Sequence, residues 1–274
     1  QSIDALPFAK ELEPLLQMLT TNEKGALTLD KGSSTYQING SCTGEQGLVL
    51  LIMDVTEKTA SEKLRREFSA NVSHELKTPL QSILGYSEIM INGMVKEADR
   101  PRFLQKIYGE AKNLLQMIDD IIRLSRLDEQ PAGAIVSMDL LPVVERAIKR
   151  LEPKSERNNI TLTLKTTLES VPMQGIPQLL EEIFANLIDN GIKYNKPNGS
   201  VSVFLEAKGK NWVVRVQDTG IGIPTEEKER IFERFYRVDK SRNKGVEGTG
   251  LGLSIVKHGI MLHKGKIVVN SRLG

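Results

Sequence analysis

In the stretch ANVSHELKTPLQSILGYSE, residues 70–88, His74 is one of only three histidines in the chain and stands beside Glu75, just ahead of Pro79. An imidazole so placed can be a structural group, a metal ligand or a nucleophile. A neighbouring carboxylate fixes its tautomer and raises the nucleophilicity of the other nitrogen. Zinc ligation of the HExxH kind is disfavoured, since no second histidine follows at that spacing. Pro79 removes a backbone hydrogen bond near Glu75 and permits a bend beside the reactive turn.

Further along, EEIFANLIDNGIKYN sets Asn186, Asn190, Lys193 and Tyr194 on one helical face. Two amide oxygens there can hold a hydrated divalent cation, which keeps waters and substrate phosphates in its shell, and the lysine adds a point charge for phosphate. The alternative is a solvated polar face. In VQDTGIGIP an apolar strand ends at Asp218, followed by Gly220 and Gly222. The carboxylate can accept from an exocyclic amine such as adenine N6, and the glycines let the backbone pass close to a flat ring. Alone this is an ordinary strand exit. In KGVEGTGLGLSIVKH, Gly245, Gly248, Gly250 and Gly252 precede an apolar helix, and free N–H groups at such a start form a phosphate cradle. A dinucleotide fold is disfavoured because its glycines follow a first strand, whereas these lie near the C-terminal end.

The elements that must carry these groups follow from periodicity. Residues 4–20 predict a short helix, followed by strands at 26–29, 35–39 and 47–54. The last, GLVLLIMD, is almost continuously apolar and is expected to be buried on both faces or at a dimer interface. A helix then starts near Asp54 or Thr56, either of which can cap it, with no Gly or Pro before Pro79. Leu64, Phe68, Val72, Leu76, Leu80, Ile83 and Met90 hold one face at about 100° per residue, and His74 points away from it, towards water. A core histidine would share the apolar face. After a break at NGMVKEADRP, a second helix carries Leu104, Ile107, Ala111, Leu114, Ile118, Ile121 and Ser125 as a heptad seam, widened by Leu115 and Ile122. Two such hairpins pairing into a four-helix bundle would bury the wide stripe; a monomeric hairpin packed on its neighbours is the alternative. Beyond a Pro- and Gly-marked hinge at 126–134, helices from Leu141, through Tyr194 and from Leu251 intersperse with strands ITLTL, VSVFLE, WVVRVQD and KIVVNS, predicting a sheet covered on one side by helices.

Composition sets outer limits. The 274 residues, 26% charged and 39% hydrophobic, lie in the globular range, with room for two domains or more. The net charge of +2, without a dense basic run interleaved with aromatics, gives no expectation of nucleic acid as a partner. A single cysteine, Cys42, forms no intrachain disulfide and fits a reducing cytoplasm. No window approaches the roughly 18 apolar residues of a membrane span. The chain lacks an initiator Met and stops after KIVVNSRLG, so both ends are expected to be cuts in something longer.

In order, FSANVSHELKTPL, NLIDNGIKYN, DTGIGIP, IFERFYRVD and GTGLGLSIVK resemble the phosphoacceptor, N, G1, F and G2 boxes of bacterial membrane-bound sensor histidine kinases, nearest to the phosphate-regulon and cell-wall sensor group. The resemblance covers nearly the whole chain. It implies a multidomain fold: a partial PAS-like α+β piece at 1–55, an antiparallel helical hairpin at 56–130 forming a dimeric four-helix bundle, and an α/β sandwich of the GHKL ATPase type at 131–274. It implies that His74 accepts the γ-phosphoryl group of ATP, that Glu75 acts as base on its imidazole, and that Thr78 orients water in phosphatase action on the partner. Asn190 would bind Mg²⁺ with Asn186 beside it, Lys193 and Tyr194 would line the nucleotide, and Asp218, with Gly220 and Gly222, would read adenine. Arg237, Lys240, Gly248, Gly250, Leu251 and Gly252 would form the lid and phosphate region. The implied partners are a second copy of the chain and a response regulator receiver domain. Membrane attachment would come only through segments absent from this cytoplasmic portion. The runner-up is an ATP-driven clamp of the gyrase, MutL and Hsp90 type; a third reading is a docking module without ATP chemistry. Gly191 replaces a more usual alanine and is expected to be tolerated, and the first PAS strands and a final strand after NSRLG are expected to be missing.

Overall fold

A computed structural model describes residues 11–21, 24–42, 48–129, 134–238 and 248–273, in two compact units that divide at Asn71 and Val72. In the first unit a short helix α1 (Glu13–Thr21) covers one face of an antiparallel sheet of β1 (Lys24–Lys31), β2 (Ser34–Cys42) and β3 (Leu48–Asp54), in that order. Leu12, Leu15 and Leu19 bury against Ile38, flanked by Leu27, Leu29, Leu48 and Leu50. The helix comes this close because Gly25 and Gly40 face each other across β1 and β2. A Cβ at Gly40 would lie 2.6 Å from Leu19 Cδ1.

The sequence expectation for β3 is only half met within one chain. Leu48 and Leu50 pack into the core, but Val49 and Leu51 are 58% and 55% exposed. A continuous apolar run signals burial only when both faces have cover, and α1 covers one. At the end of β3 the Asp54 carboxylate accepts from the Thr56 N–H (3.0 Å) and hydroxyl (2.5 Å), and the Thr35 N–H donates to Thr56 Oγ1 (2.8 Å). These bonds fix the start of α2 (Thr56–Ile91). Helix α2 runs through Pro79, whose ring position removes only one backbone donor.

In the second unit α2 turns at 92–99 into α3 (Arg100–Glu129), and Tyr86 meets Phe103 edge-on with centroids 5.8 Å apart, bracing an antiparallel hairpin. The rest of the unit contains β4 (Val136–Asp139), α4 (Leu141–Arg157), β5 (Thr161–Lys165), β6 (Pro172–Gly175), α5 (Pro177–Lys193), β7 (Ser200–Lys208), β8 (Asn211–Asp218) and α6 (Gly252–Leu262). Strand β7 pairs parallel with β5 and antiparallel with β8, while β4 and β6 form a separate antiparallel pair. Val201, Val203 and Leu205 of β7 alternate inward onto α4 and α5, which contribute Val143, Val144, Ile148, Ile183 and Ile188 to one core. Pro142 and Pro177 stand in the first turns of α4 and α5, where a missing N–H costs nothing.

Two sequence expectations differ here. The pair β4–β6 was not expected, because four-residue strands carry too little periodicity to read. The expected strand KIVVNS makes no ladder: residues 266–273 run without regular secondary structure, although Ile267 packs on the core. Instead the segment is held by side-chain and close backbone contacts, with the Ile223 N–H donating to Ser271 Oγ (2.9 Å).

Candidate functional site

On α2 the His74 side chain is 79% exposed, and its Nδ1 lies 3.7 Å from Glu75 Oε1. That proximity favours the tautomer with the proton on Nδ1 and leaves the Nε2 lone pair open to solvent. The Thr78 hydroxyl donates back to the His74 carbonyl (3.3 Å), one turn away, and Pro79 beneath is buried. The helical phase that sets His74 outward is the one read from the sequence.

A second cluster forms where the C-terminal half of α5 meets the exit of β8 and the start of α6. Asn186 lies against that start: its Oδ1 would be 3.1 Å from a Cβ on Gly252. Asn190, one turn on, is half-buried, and its amide has no hydrogen-bond partner among the described residues. Lys193 sets its ammonium beside Gly248, 2.4 Å from where a Cβ would be, and 5.5 Å from the Tyr194 ring centroid. A Cβ at position 248 would require that ammonium to move. Asp218 is exposed; its Oδ1 accepts from the Gly220 N–H (2.8 Å), and its other oxygen has no protein donor among the described residues.

The glycines have local reasons as well. Space at Gly220 is taken by the Tyr194 carbonyl, which also accepts from the Ile221 N–H (3.1 Å), and Gly222, with φ +74°, is closely approached by the Arg272 carbonyl. Gly250 (φ +72°) and Phe235 (φ +64°) meet backbone to backbone, the Phe235 N–H donating to the Gly250 carbonyl (3.0 Å). Arg237 donates to the Gly248 carbonyl (3.1 Å), so the F-box residues hold the glycine run from outside. Leu251 is fully buried as the N-cap of α6. Lys240 lies outside the described residues. At Gly191 a Cβ would come within 3.1 Å of Val201 Cγ2 and 3.5 Å of Asp218 Cβ.

Sequence reasoning passed over the groups that clamp this cluster. Asn195 donates to the Gly191 (2.8 Å) and Ser200 (3.0 Å) carbonyls and accepts from the Thr219 hydroxyl (3.0 Å), which itself accepts from the Ser200 N–H (2.9 Å). This network ties the end of α5 to the exit of β8, where Asp218 Cβ lies 3.5 Å from the position of a Cβ on Gly191. The signal was a polar turn, NKPNG, which reads only as a loop. Tyr236 donates to Glu227, and its ring is capped by the Arg230 guanidinium at 4.1 Å; the bond to Glu227 is the main reason its hydroxyl pKa is raised.

Two family models match. The His Kinase A (phospho-acceptor) domain covers residues 64–130, and the Histidine kinase-, DNA gyrase B-, and HSP90-like ATPase covers residues 175–274. Sensor protein kinase WalK of Staphylococcus saprophyticus is 34% identical over 261 residues, 93% of this chain and 42% of its own length. The chain belongs to the bacterial sensor histidine kinases. It spans less than half the length of the curated kinases it matches. Among solved kinases, histidine kinase AdeS of Acinetobacter baumannii superposes with a TM-score of 0.53 at 26% identity, over 69% of this chain and 86% of that one. Histidine kinase ThkA, solved in complex with the response regulator protein TrrA, shares the fold with a TM-score of 0.56 at 22% identity, over 86% and 75% of the two chains. The phospho-acceptor match encloses His74, and the ATPase match begins at Gly175, inside a domain whose core also needs β5 and α4. Within this kinase fold no described helix is long and apolar enough to cross a membrane, and no group of three or more His, Cys, Asp or Glu side chains placed to hold a metal ion occurs among the described residues.

Proposed function

We propose that this chain is the catalytic portion of a two-component sensor kinase, which phosphorylates its own His74 from Mg²⁺–ATP, passes the group to an aspartate of a response regulator receiver domain, and also dephosphorylates that regulator. The observation that carries the reading is the pairing of a solvent-open imidazole, with its Nδ1 turned to Glu75, and a cluster in which Asn190, Lys193, Asp218 and the glycine run converge at one end of α5.

The amide oxygens of Asn186 and Asn190 suit a hard cation that keeps waters and phosphates in its shell, and Asn190 has no competing bond among the described residues. Bound there, Mg²⁺ would neutralise charge on the triphosphate. Lys193 adds positive charge beside Gly248, and Asp218 keeps one oxygen for an exocyclic amine. At His74, Nε2 forms the bond to the γ-phosphorus while the bond from phosphorus to the ADP oxygen breaks, and Glu75 takes the Nδ1 proton. Residues 1–55 read as the C-terminal part of a PAS-like sensor domain, 56–130 as the dimerisation and phosphotransfer hairpin, and 131–274 as the ATP-binding domain. Two copies pair through the hairpin, and the whole protein is anchored in a membrane by segments outside this chain. A clamp without phosphotransfer is not favoured, because the phospho-acceptor hairpin precedes the ATPase.

Incubation with γ-labelled ATP and Mg²⁺, followed by acid and alkali treatment, tests the reading. An acid-labile, alkali-stable label that disappears in His74→Gln is expected; label persisting in that variant rules it out.

A further inference from the structure

We propose that Asp120 is a nucleotide-sensitive latch, holding the glycine-rich start of α6 on α3 until bound triphosphate weakens the contact. The inference rests on the reading of Gly248–Gly252 as the phosphate region.

Helix α3 carries two stripes. One is the heptad seam; beside it, Met117, Asp120 and Leu124 are buried, and Leu127 packs on the core of the ATP-binding domain. A carboxylate thus sits within a stripe that is otherwise apolar, 8% exposed. Its Oδ1 accepts from Gln116 Nε2 (2.8 Å) and its Oδ2 from the Thr249 hydroxyl (2.7 Å). Thr249 lies between Gly248 and Gly250, and its hydroxyl also accepts from the Leu251 N–H (3.2 Å) at the cap of α6. Among the described residues no basic group pairs with Asp120, and the neighbouring Arg123 pairs with Glu182 of α5.

A buried carboxylate served only by neutral donors gains little net stabilisation, because desolvation offsets its bonds. The contact is therefore easily tipped. Phosphates drawn to the N–H groups of the glycine run would bring negative charge beside Thr249, whose hydroxyl is bonded to Asp120. Like charges in a partly buried site repel strongly, so triphosphate binding and the Asp120–Thr249 bond oppose each other. By linkage each weakens the other by the same factor. In the latched arrangement His74 is 79% exposed, so the ATP-binding domain does not cover the imidazole it must serve. Release from α3 gives that domain the freedom to reach it.

Two substitutions separate charge from bond. Asp120→Ala removes both, while Asp120→Asn keeps an oxygen that accepts from Thr249 and loses the charge. Nitroxides at Ser125 and Lys257, in a Cys42→Ser background and with labelled chains diluted by unlabelled ones, report the α3-to-α6 distance by pulsed electron resonance. The probe is Mg²⁺ with a non-hydrolysable ATP analogue, whose affinity is measured on the same samples by calorimetry. The parent should show a short distance that lengthens on binding. Asp120→Ala should be long throughout and Asp120→Asn short throughout, both binding the analogue about 5-fold tighter or more. An Asp120→Asn that lengthens like the parent, or a folded Asp120→Ala that stays short, overturns the latch. Binding to the parent at unchanged distance overturns the latch alone; no binding to any variant overturns the nucleotide reading and the latch together.

Discussion

The proposed nucleophile needs access and one free lone pair, and the turn from His74 to Thr78 places different groups on different sides of an exposed imidazole. Glu75 faces Nδ1 at 3.7 Å, so its removal should leave the imidazole accessible but without an acceptor for the proton that leaves as Nε2 attacks. Thr78 bonds to the His74 carbonyl and not to the ring, so its hydroxyl can serve water only from beside the reactive nitrogen. The two roles should separate in kinetics. Glu75→Ala is expected to slow autophosphorylation by about 10²-fold while sparing regulator dephosphorylation. Thr78→Ala should keep His74 labelling and slow dephosphorylation, with both rates taken against the same purified regulator. Equal losses of both activities in each variant would mean that the turn is only structural. The placement of His74, Asn190 and Asp218 was legible because each stands in a helical face or strand exit whose phase the sequence fixes locally. Asn195, Thr219 and Asp120 were not, since each matters through a partner distant in sequence, as far as the 129 positions from Asp120 to Thr249.

At the scale of elements, the long helices and central strands followed from apolar period, while short pieces joined by polar contacts did not. The β4–β6 pair is the clearest case, because one side chain organises it. Asp139 accepts from the Leu141 N–H (3.0 Å), the Val171 N–H (2.9 Å) and the Ser170 hydroxyl (2.7 Å), joining the end of β4, the start of α4 and the approach to β6. The Ser170 bond, followed by those from the Val171 and Leu141 N–H groups, holds its carboxyl below the usual carboxylate range. A depressed folded pKa gives stability that is present above the unfolded value of about 3.9 and lost as pH falls through the folded one. Ser170→Ala removes the largest cause, so the parent should be the more stable above about pH 4, with the difference closing as acid protonates both proteins. Thermal melts from neutral pH to about pH 2 check this; a gap that stays constant across the range would assign the loss to packing.

For the whole molecule the heptad seam decides the assembly. In one chain Leu104, Leu115, Ile118 and Ile122 of α3 are 56%, 61%, 38% and 45% exposed, alongside Leu80 and Leu84 of α2. Apolar surface running along a hairpin in this way marks an interface, and the seam spacing suits a second hairpin. The second stripe of α3 is already occupied by the ATP-binding domain, so cover for the seam must come from elsewhere, and a second copy presents the same spacing. Ile118→Lys discriminates between states because its effect differs so much between them. On a monomer a lysine at this partly exposed site would extend to water and change stability little. In a four-helix core two copies would face an unpaired charge across the seam, so the variant should sediment as monomer, or unfold, where the parent sediments as dimer at micromolar concentration. A folded parent that sediments as monomer at that concentration would return the hairpin to the alternative of packing only within its own chain.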